Sequence, residues 1–305
     1  MAHDRPFAGI LLMLGFCVLA PLGDSIAKLL GGVVPILLLL TARFAVQALI
    51  LLPVLALTRT SLRAPPGTLG RIWLRTALHI VGIGLMFSAL RYLPLADALA
   101  IAFVMPFIML LLGHLVLQEE VGRQRLAACA VGFAGTLLVI QPNFAAVGWP
   151  ALLPLGVAVV FALFMLVTRQ VAKGIDPVAL QAISGLQASA LLVPLLLWTG
   201  WPGLPDATAL WLLLALGLLG TVAHLMMTWS LRFAPASTLA PMQYLEIPFG
   251  TLIGWIIFSD LPNGLAALGI CITVAAGLYI IARERRLSRP QDPQAAPSGT
   301  PAPPA

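Results

Sequence analysis

The segment LRYLPLA at residues 90–96 returns as LRFAPAS at residues 231–237, so the residue number rises by 141 between the two copies. The next marker, Pro106, returns as Pro248, at an offset of 142. An offset that drifts by only one indicates a true duplication with small insertions. Its period is much longer than the roughly 20–50 residues of a solenoid unit. We therefore predict that the chain consists of two homologous halves.

The composition indicates a protein that resides in a lipid bilayer. Of the 305 residues, 60% are hydrophobic and 9% are charged, and the mean hydropathy is +1.02. Soluble domains carry about 25% charged residues, so a soluble core is excluded. The net charge of +6 does not indicate nucleic acid, because the basic residues fall at the edges of apolar runs. Three cysteines inside apolar runs do not make a disulfide framework.

Apolar runs of nearly membrane-spanning length follow one another along the chain. Each is close to the roughly 20 residues that a helix needs to cross hydrocarbon, and an open strand would leave backbone groups unpaired in lipid. The predicted fold class is an all-α multi-pass membrane protein, with ten transmembrane helices in two inverted five-helix repeats. The ten runs cover residues 7–27, 34–57, 72–90, 96–117, 126–140, 151–171, 178–198, 209–231, 237–258 and 265–282.

The distribution of Lys and Arg predicts the orientation in the membrane. With the N-terminus in the cytoplasm, 14 basic residues, including Arg75 and Arg169, fall in inner segments, 2 (Lys28 and Arg91) in outer segments, and Arg43 within a span, which accounts for all 17. The positive-inside rule then places both termini in the cytoplasm. Because five helices per half is an odd number, the halves enter the membrane in opposite directions, as in secondary transporters.

The predicted organisation is a first repeat over residues 1–142, a second repeat over residues 143–286 and a C-terminal tail over residues 287–305. The tail is rich in Pro, Ala, Gln and Ser and has no apolar period, so we expect it to be disordered and dispensable. The first run carries Asp24 and Lys28 too late for a cleaved signal peptide. We expect the chain to be a multi-pass protein of the inner cell membrane.

Each half has a proline in the middle of its fourth span and an acidic residue that closes this span. These residues are Pro94, Pro106, Glu119 and Gly135 in the first half, and Pro235, Pro248, Asp260 and Gly277 in the second. Because of these residues, the chain resembles the EamA-type branch of the drug/metabolite transporter superfamily. Arg43 looks like the basic position of that family in its second span. Asp260 and Ala128 depart from the usual glutamate and glycine. The resemblance implies an alternating-access carrier for a small organic metabolite, without a cofactor.

Glu246 is the main candidate for a site residue, because ionisable groups inside a membrane are costly and functional by default. It lies in the middle of the ninth run, within QYLEIP at residues 243–248. Pro248 cannot donate a backbone hydrogen bond and crowds the carbonyl of Tyr244, so an acceptor is freed near the carboxyl group. Such a site, with Gln243 and Tyr244, would hold a cation, an amine or a proton. The alternative is a structural ion pair with Arg43.

Arg43 and Asp24 are the other charged candidates for substrate binding. The Arg43 guanidinium would hold a carboxylate or phosphate in a bidentate manner, or it would make a structural ion pair or bond carbonyl groups at a helix crossing. Asp24 would face the cavity, or it would form an interfacial i,i+4 pair with a snorkelling Lys28.

Two histidines and two aromatic residues complete the predicted substrate-binding set. His79 and His224 are candidates for proton coupling, since histidine titrates near neutral pH, and the alternative is that they are hydrogen-bonding core residues. Phe103 and Tyr244 occupy equivalent mid-span places at the offset of 141, so we expect them to form cavity walls. No cluster of His, Cys and acidic residues has the spacing of metal ligands.

Two further features of the repeat have structural explanations. Glu119 and Asp260 each precede a helix, where a carboxylate complements the N-terminal dipole by about 0.3–1 kcal/mol. Small residues in the last run of each half predict close helix contacts; these are Gly132, Gly135, Gly269 and Gly277.

The function predicted is secondary active transport of a small organic metabolite, zwitterionic or cationic and amino-acid-like, by alternating access. Its partners would be this substrate, the lipid bilayer and a coupling proton or cation, and the chain would act as a monomer or a homodimer. A membrane-embedded transferase is a second hypothesis, although the loops are too short to hold a catalytic constellation. A non-coupled channel or scramblase is the third.

Overall fold

The computed structural model describes residues 5–140, 148–259 and 264–287, and this part of the chain is helical with no strand. Asp260 and the predicted tail from residue 288 onward lie outside the described residues. The α-helices are α1 Pro6–Leu30, α2 Ile36–Thr58, α3 Leu69–Ala89, α4 Leu95–Ala102, α5 Met105–Leu117, α6 Arg123–Ile140, α7 Leu152–Ala172, α8 Pro177–Thr199, α9 Ala207–Phe233, α10 Ala236–Leu239, α11 Glu246–Phe258 and α12 Gly264–Leu287. Two 3₁₀ turns, Trp149–Ala151 and Ala240–Leu245, precede α7 and α11.

Six helices are long and apolar enough to cross a membrane. They are α1, α2, α3, α8, α9 and the segment Trp149–Ala172, which contains α7. The first three and the sixth to eighth of the ten predicted spans are therefore confirmed as candidate membrane helices. Shorter apolar helices cover Met105–Leu117 and part of the last run.

The prediction of continuous helices in the fourth and ninth runs is wrong. The fourth run is divided into α4 and α5, and the ninth into α10, a 3₁₀ turn and α11. Proline is the physical reason, because it has no N–H to donate and its ring clashes with the preceding turn. Pro106 lies in the first turn of α5, and Pro241 lies in the first turn of the 3₁₀ segment. Both runs are therefore interrupted near their middle.

Helix boundaries repeat along the chain with the offset found in the sequence. α2 and α8 begin at Ile36 and Pro177 and end at Thr58 and Thr199, so both pairs of ends differ by 141 in residue number. α5 and α11 show the same offset at both of their ends. The residues that terminate α5 and α11, Gln118 and Ser259, both adopt a left-handed backbone with φ of 54° and 59°. We therefore call two residues at an offset of 141 counterparts.

The longest helix contacts join one half of the chain to the other. α1 packs along α9 and α3 packs along α7, while α2 packs on α8 and α6 packs on α12. Since α7, α8, α9 and α12 are the counterparts of α1, α2, α3 and α6, this pairing is reciprocal. The two halves interlock, and their core is shared.

Glycines let the last helices of the two halves approach closely. A methyl group on Gly135 would lie 2.8 Å from the carbonyl oxygen of Gly269. A methyl group on Gly132 would lie 2.6 Å from the ring of Tyr244. Small residues at such points allow close contact between helices in membranes.

Candidate functional site

A central cavity lies between the two halves. The space within it, including the part open to solvent, is about 750 Å³, and it is lined by residues of α1, α2, α3, α4, α5, α7, α9 and α11. Most of its wall is apolar, with four phenylalanines: Phe16, Phe87, Phe103 and Phe161. A cavity with an apolar wall and a few polar groups is typical of a site for a small organic ligand.

The cavity lies toward one side of the molecule. Its wall uses Phe16 to Asp24 in the middle and later part of α1, Ile83 to Phe87 at the end of α3, and Val157 and Phe161 near the start of α7. We call the side at which α1 and α3 end the cavity face. The start of α1, the start of α3 and the end of α7 do not contribute to the wall.

Asp24 and Glu246 are the two carboxylates of the wall. Within the described residues, neither carboxylate accepts a hydrogen bond from the protein. Glu246 is the first residue of α11, at the break in the ninth run. Lys28, one turn further along α1, has its Nζ 4.8 Å from the centre of the Phe258 ring. Two carboxylate acceptors are therefore available to a ligand.

Arg43 is the cation of the wall, and its guanidinium is held by neutral groups. Nη1 donates to Gln47 Oε1 at 2.9 Å, and Nη2 donates to the Gly220 carbonyl at 2.7 Å. Nη2 also lies 3.0 Å from His224 Nδ1. Asp24 lines the same cavity as Arg43 and makes no ion pair with it. The alternative in which Arg43 and Glu246 form an ion pair does not describe this conformation.

Arg75 is a second buried arginine, although its sequence position predicts an inner segment. In the structure its side chain is fully buried, near the start of α3. It donates from Nε to Thr168 at 2.9 Å and from Nη1 to Ser184 at 2.7 Å. A third bond joins Nη2 to Thr228 at 3.3 Å. The predicted inner position of Arg169 is also a buried one, where Nη1 donates to the Leu231 carbonyl.

His79 and His224 lie side by side, with ring centroids 4.4 Å apart. His224 lines the cavity, while His79 is stacked on Phe164 and does not contribute to the wall. Both ring nitrogens of His79 and Nε2 of His224 are buried without a hydrogen-bond partner among the described residues. The two predicted proton-coupling candidates are thus brought together.

Gln243 and Tyr244 do not line the cavity, although both were predicted to contact substrate. Tyr244 is fully buried beside Phe103, and its hydroxyl donates to the Phe103 carbonyl at 3.3 Å. Gln243 Nε2 lies 3.0 Å from Met109 Sδ, and Gln243 Oε1 has no partner in the described part of the chain. Of the eight predicted residues, the wall contains five: Asp24, Arg43, Phe103, His224 and Glu246.

Three phenylalanines of the wall, Phe16, Phe87 and Phe161, were not predicted as site residues. A phenylalanine in an apolar run carries no signal that separates a cavity from lipid. The repeat gives no help either, since none of their counterparts is aromatic; these are Val157, Thr228 and Ala20. In the described ranges, no three His, Cys, Asp or Glu side chains converge to hold a metal ion.

Membrane-length helices, interrupted runs between them and a central cavity with an apolar wall are features of polytopic membrane proteins. The sequence profile of the EamA-like transporter family matches the chain twice, over residues 7–141 and 148–283. The chain belongs to this family, as its resemblance to the EamA-type branch predicted. It is an integral membrane protein, and the names of its relatives are those of transporters rather than enzymes.

Several relatives carry names that state a substrate. The chain is 31% identical over 215 residues to a riboflavin transporter of Rhizobium johnstonii, covering 70% of this chain and 71% of the relative. A riboflavin transporter of Vibrio cholerae is 28% identical, with 81% and 83% covered. An S-adenosylmethionine uptake transporter of Rickettsia prowazekii is 23% identical, with 70% and 72% covered. One solved crystal structure shares the fold, with a TM-score of 0.71 at 21% identity over 93% of this chain and 98% of the other.

Proposed function

We propose that this protein is a secondary active transporter that moves a heteroaromatic metabolite with a polar chain across the membrane by alternating access. Riboflavin is the first substrate to test and S-adenosylmethionine the second, because relatives are named for both. Both molecules join a flat nitrogen-containing ring system to a flexible polar chain.

The aromatic wall of the cavity supports a flat substrate. Phe16, Phe87, Phe103 and Phe161 surround a space that several aliphatic side chains complete. Aromatic rings pair favourably in offset or edge-to-face arrangements, by about 0.5–1.5 kcal/mol beyond the burial of their area. The two faces of a flat heteroaromatic ring would therefore stack against these side chains, and the polar atoms at its edge would face the polar groups of the wall.

The two carboxylates support a substrate that donates hydrogen bonds or carries positive charge. Asp24 and Glu246 present acceptors to the cavity, and Arg43 presents a guanidinium at its wall. The hydroxyls of a ribityl chain would donate to the carboxylates. The ammonium and carboxylate of an amino-acid chain would pair with the acids and with Arg43, which is the zwitterionic or cationic substrate that the sequence predicts. A coupling proton or cation would use the same two acids.

The internal repeat supports alternating access. Matching helix boundaries and reciprocal helix pairs are the features expected of two inverted five-helix repeats, over residues 1–142 and 143–286. In this proposal both termini are cytoplasmic, so the cavity face is the outer face. The conformation described here is then one in which the site is reached from outside.

Counterflow in proteoliposomes tests this function. Purified protein is reconstituted with unlabelled riboflavin or S-adenosylmethionine inside, and uptake of the labelled compound is followed. We expect saturable counterflow for one of the two, together with an increase in Tm of the detergent-solubilised protein, because ligand binding stabilises the folded state. Non-saturable flux would indicate a channel or scramblase, and chemical conversion of the compound would indicate a transferase. An absence of both binding and counterflow would reject this substrate class.

A further inference from the structure

We propose that Arg75, His79, Ser184, Thr228, Gln243 and Tyr244 form a second substrate-binding surface, which opens toward the face opposite the cavity when the carrier changes state. In the described conformation all six side chains are buried. This inference rests on the proposed function, because it requires alternating access.

Each of the six residues is the counterpart of a residue in the cavity wall. The pairs are Arg75 with Leu216, His79 with Gly220, Ser184 with Arg43, Thr228 with Phe87, Gln243 with Ala102, and Tyr244 with Phe103. When two inverted repeats exchange conformations, the positions that lined one cavity close, and their counterparts line a cavity on the other side. This exchange would therefore expose the six buried residues, which then form the second surface.

Unsatisfied polar atoms in this group provide an independent observation. Among the described residues, His79 Nδ1, His79 Nε2 and Gln243 Oε1 are buried without a hydrogen-bond partner. Leaving a buried polar group unpaired costs free energy, and native structures contain few such groups. A permanently packed helix interface would gain stability from apolar residues at these places. Polar residues there are explained if water and substrate reach them in another state.

Arg75 is also a costly buried group, because it carries a full charge. Its hydrogen bonds go to the hydroxyls of Thr168, Ser184 and Thr228, and no carboxylate of the described residues lies within ion-pair distance. A buried charge without a counter-ion is costly and weakly justified as a structural element. Hydroxyl partners can rotate, so the guanidinium can exchange them for a ligand without breaking an ion pair.

The second surface differs in chemistry from the cavity wall. It retains aromatic surface, since the Arg75 guanidinium lies 4.8 Å from the centre of the Phe164 ring and His79 stacks on the same ring. The repeat places one carboxylate beside it, because Glu246 is the counterpart of Met105, which lines the cavity, whereas Met165, the counterpart of Asp24, does not. A heteroaromatic ring with carbonyl acceptors fits both surfaces. A cationic group meets two carboxylates in the cavity and one beside the second surface.

A pair of counterpart methionines allows a matched labelling experiment. Met86 lines the cavity, and Met227, its counterpart, is fully buried in α9, one residue before Thr228. In a protein whose three native cysteines are replaced by alanine, each methionine is changed singly to cysteine. Met13, which is fully buried in α1 and absent from the wall, provides the control variant Met13→Cys.

Labelling uses a membrane-impermeant maleimide on right-side-out and inside-out vesicles. We expect Met86→Cys to react from one face, Met227→Cys to react from the other face, and Met13→Cys to react from neither. Ser184→Cys should behave like Met227→Cys. The proposal is overturned if Met227→Cys and Ser184→Cys react no faster than the control, or if they react from the same face as Met86→Cys. The readout needs no substrate, so a failure of riboflavin and S-adenosylmethionine in counterflow would reject those substrates and leave this result interpretable.

Discussion

Glu119 of the first half accepts a hydrogen bond from the backbone N–H of Ser237 in the second half, at a distance of 2.9 Å. Its other oxygen accepts the N–H of Ala236 at 3.2 Å and lies 3.4 Å from Arg169 Nε. The carboxylate thus bonds the first turn of α10, which belongs to the other half. The sequence predicts that Glu119 interacts with the next helix of its own half. In the structure it instead links the two halves.

The change Glu119→Gln should therefore weaken the contact between the two halves. Gln cannot form the ion pair with Arg169, and its hydrogen bonds to α10 are no longer charge-assisted. We expect a loss of about 1–3 kcal/mol in the free energy of unfolding, seen as a lower Tm in detergent. Glu120→Gln is the control, because Glu120 is the exposed neighbour. Equal Tm values for the two variants would show that the link does not contribute.

The change Glu246→Gln should abolish transport and leave folding intact. The carboxylate has no hydrogen-bond donor in the described protein, so neutralising it leaves no buried partner charge unpaired. Loss of a charge-assisted bond to substrate corresponds to about tenfold or more in affinity. Counterflow and Tm are measured together. A variant with a lowered Tm that Arg43→Gln rescues would support the structural ion pair, and wild-type counterflow would reject the functional role.

The change Gly220→Ala should displace Arg43 from the cavity wall. A methyl group at this position would overlap the guanidinium of Arg43, whose Nη2 bonds the carbonyl of the same residue. Gly254→Ala is the matched control, because Gly254 is a buried helical glycine outside the cavity wall and no described atom lies within 4 Å of the added methyl group. We expect counterflow to fall strongly in Gly220→Ala and to stay near the wild-type rate in Gly254→Ala. Similar rates in the two variants would argue against a role for the Arg43 position.

The orientation in the membrane can be tested at two exposed counterpart positions, Val33 and Gly174. Opposite insertion of the two halves places them on opposite faces. In intact cells, an impermeant thiol reagent should label Val33→Cys, whereas Gly174→Cys should become reactive only after lysis. Labelling of both variants from outside would contradict the inverted repeat and the cytoplasmic termini.

The helical class, the duplication and the family could be predicted from the sequence, because these depend on composition and on a long repeat. The breaks in the fourth and ninth runs could not be predicted from the sequence. A proline inside an apolar run is compatible with a kinked helix as well as with two short ones, and only the surrounding helices decide between them. The 3₁₀ turn at Ala240–Leu245 is an example, since it packs against α1, α5, α6 and α12.

Charge inside a span was a sufficient signal for Asp24, Arg43 and Glu246, all of which reach the cavity wall. The position of Arg75 in the sequence instead indicated a residue at the membrane surface. It lies within two turns of the start of α3, where a long basic side chain ordinarily extends to the membrane surface. Its burial depends on three hydroxyl groups contributed by α7, α8 and α9, and no local pattern reveals that these meet.

The reciprocal helix pairs also constrain how the chain is made. α1 packs along α9, where Gly9 approaches Ala234 and Gly15 approaches Met226, yet α9 leaves the ribosome about two hundred residues later. During that interval the glycine-bearing face of α1 lacks its partner helix. A nascent chain that stalls after its first half would be inserted but unpaired, and such a chain is a substrate for the proteases and chaperones of membrane quality control.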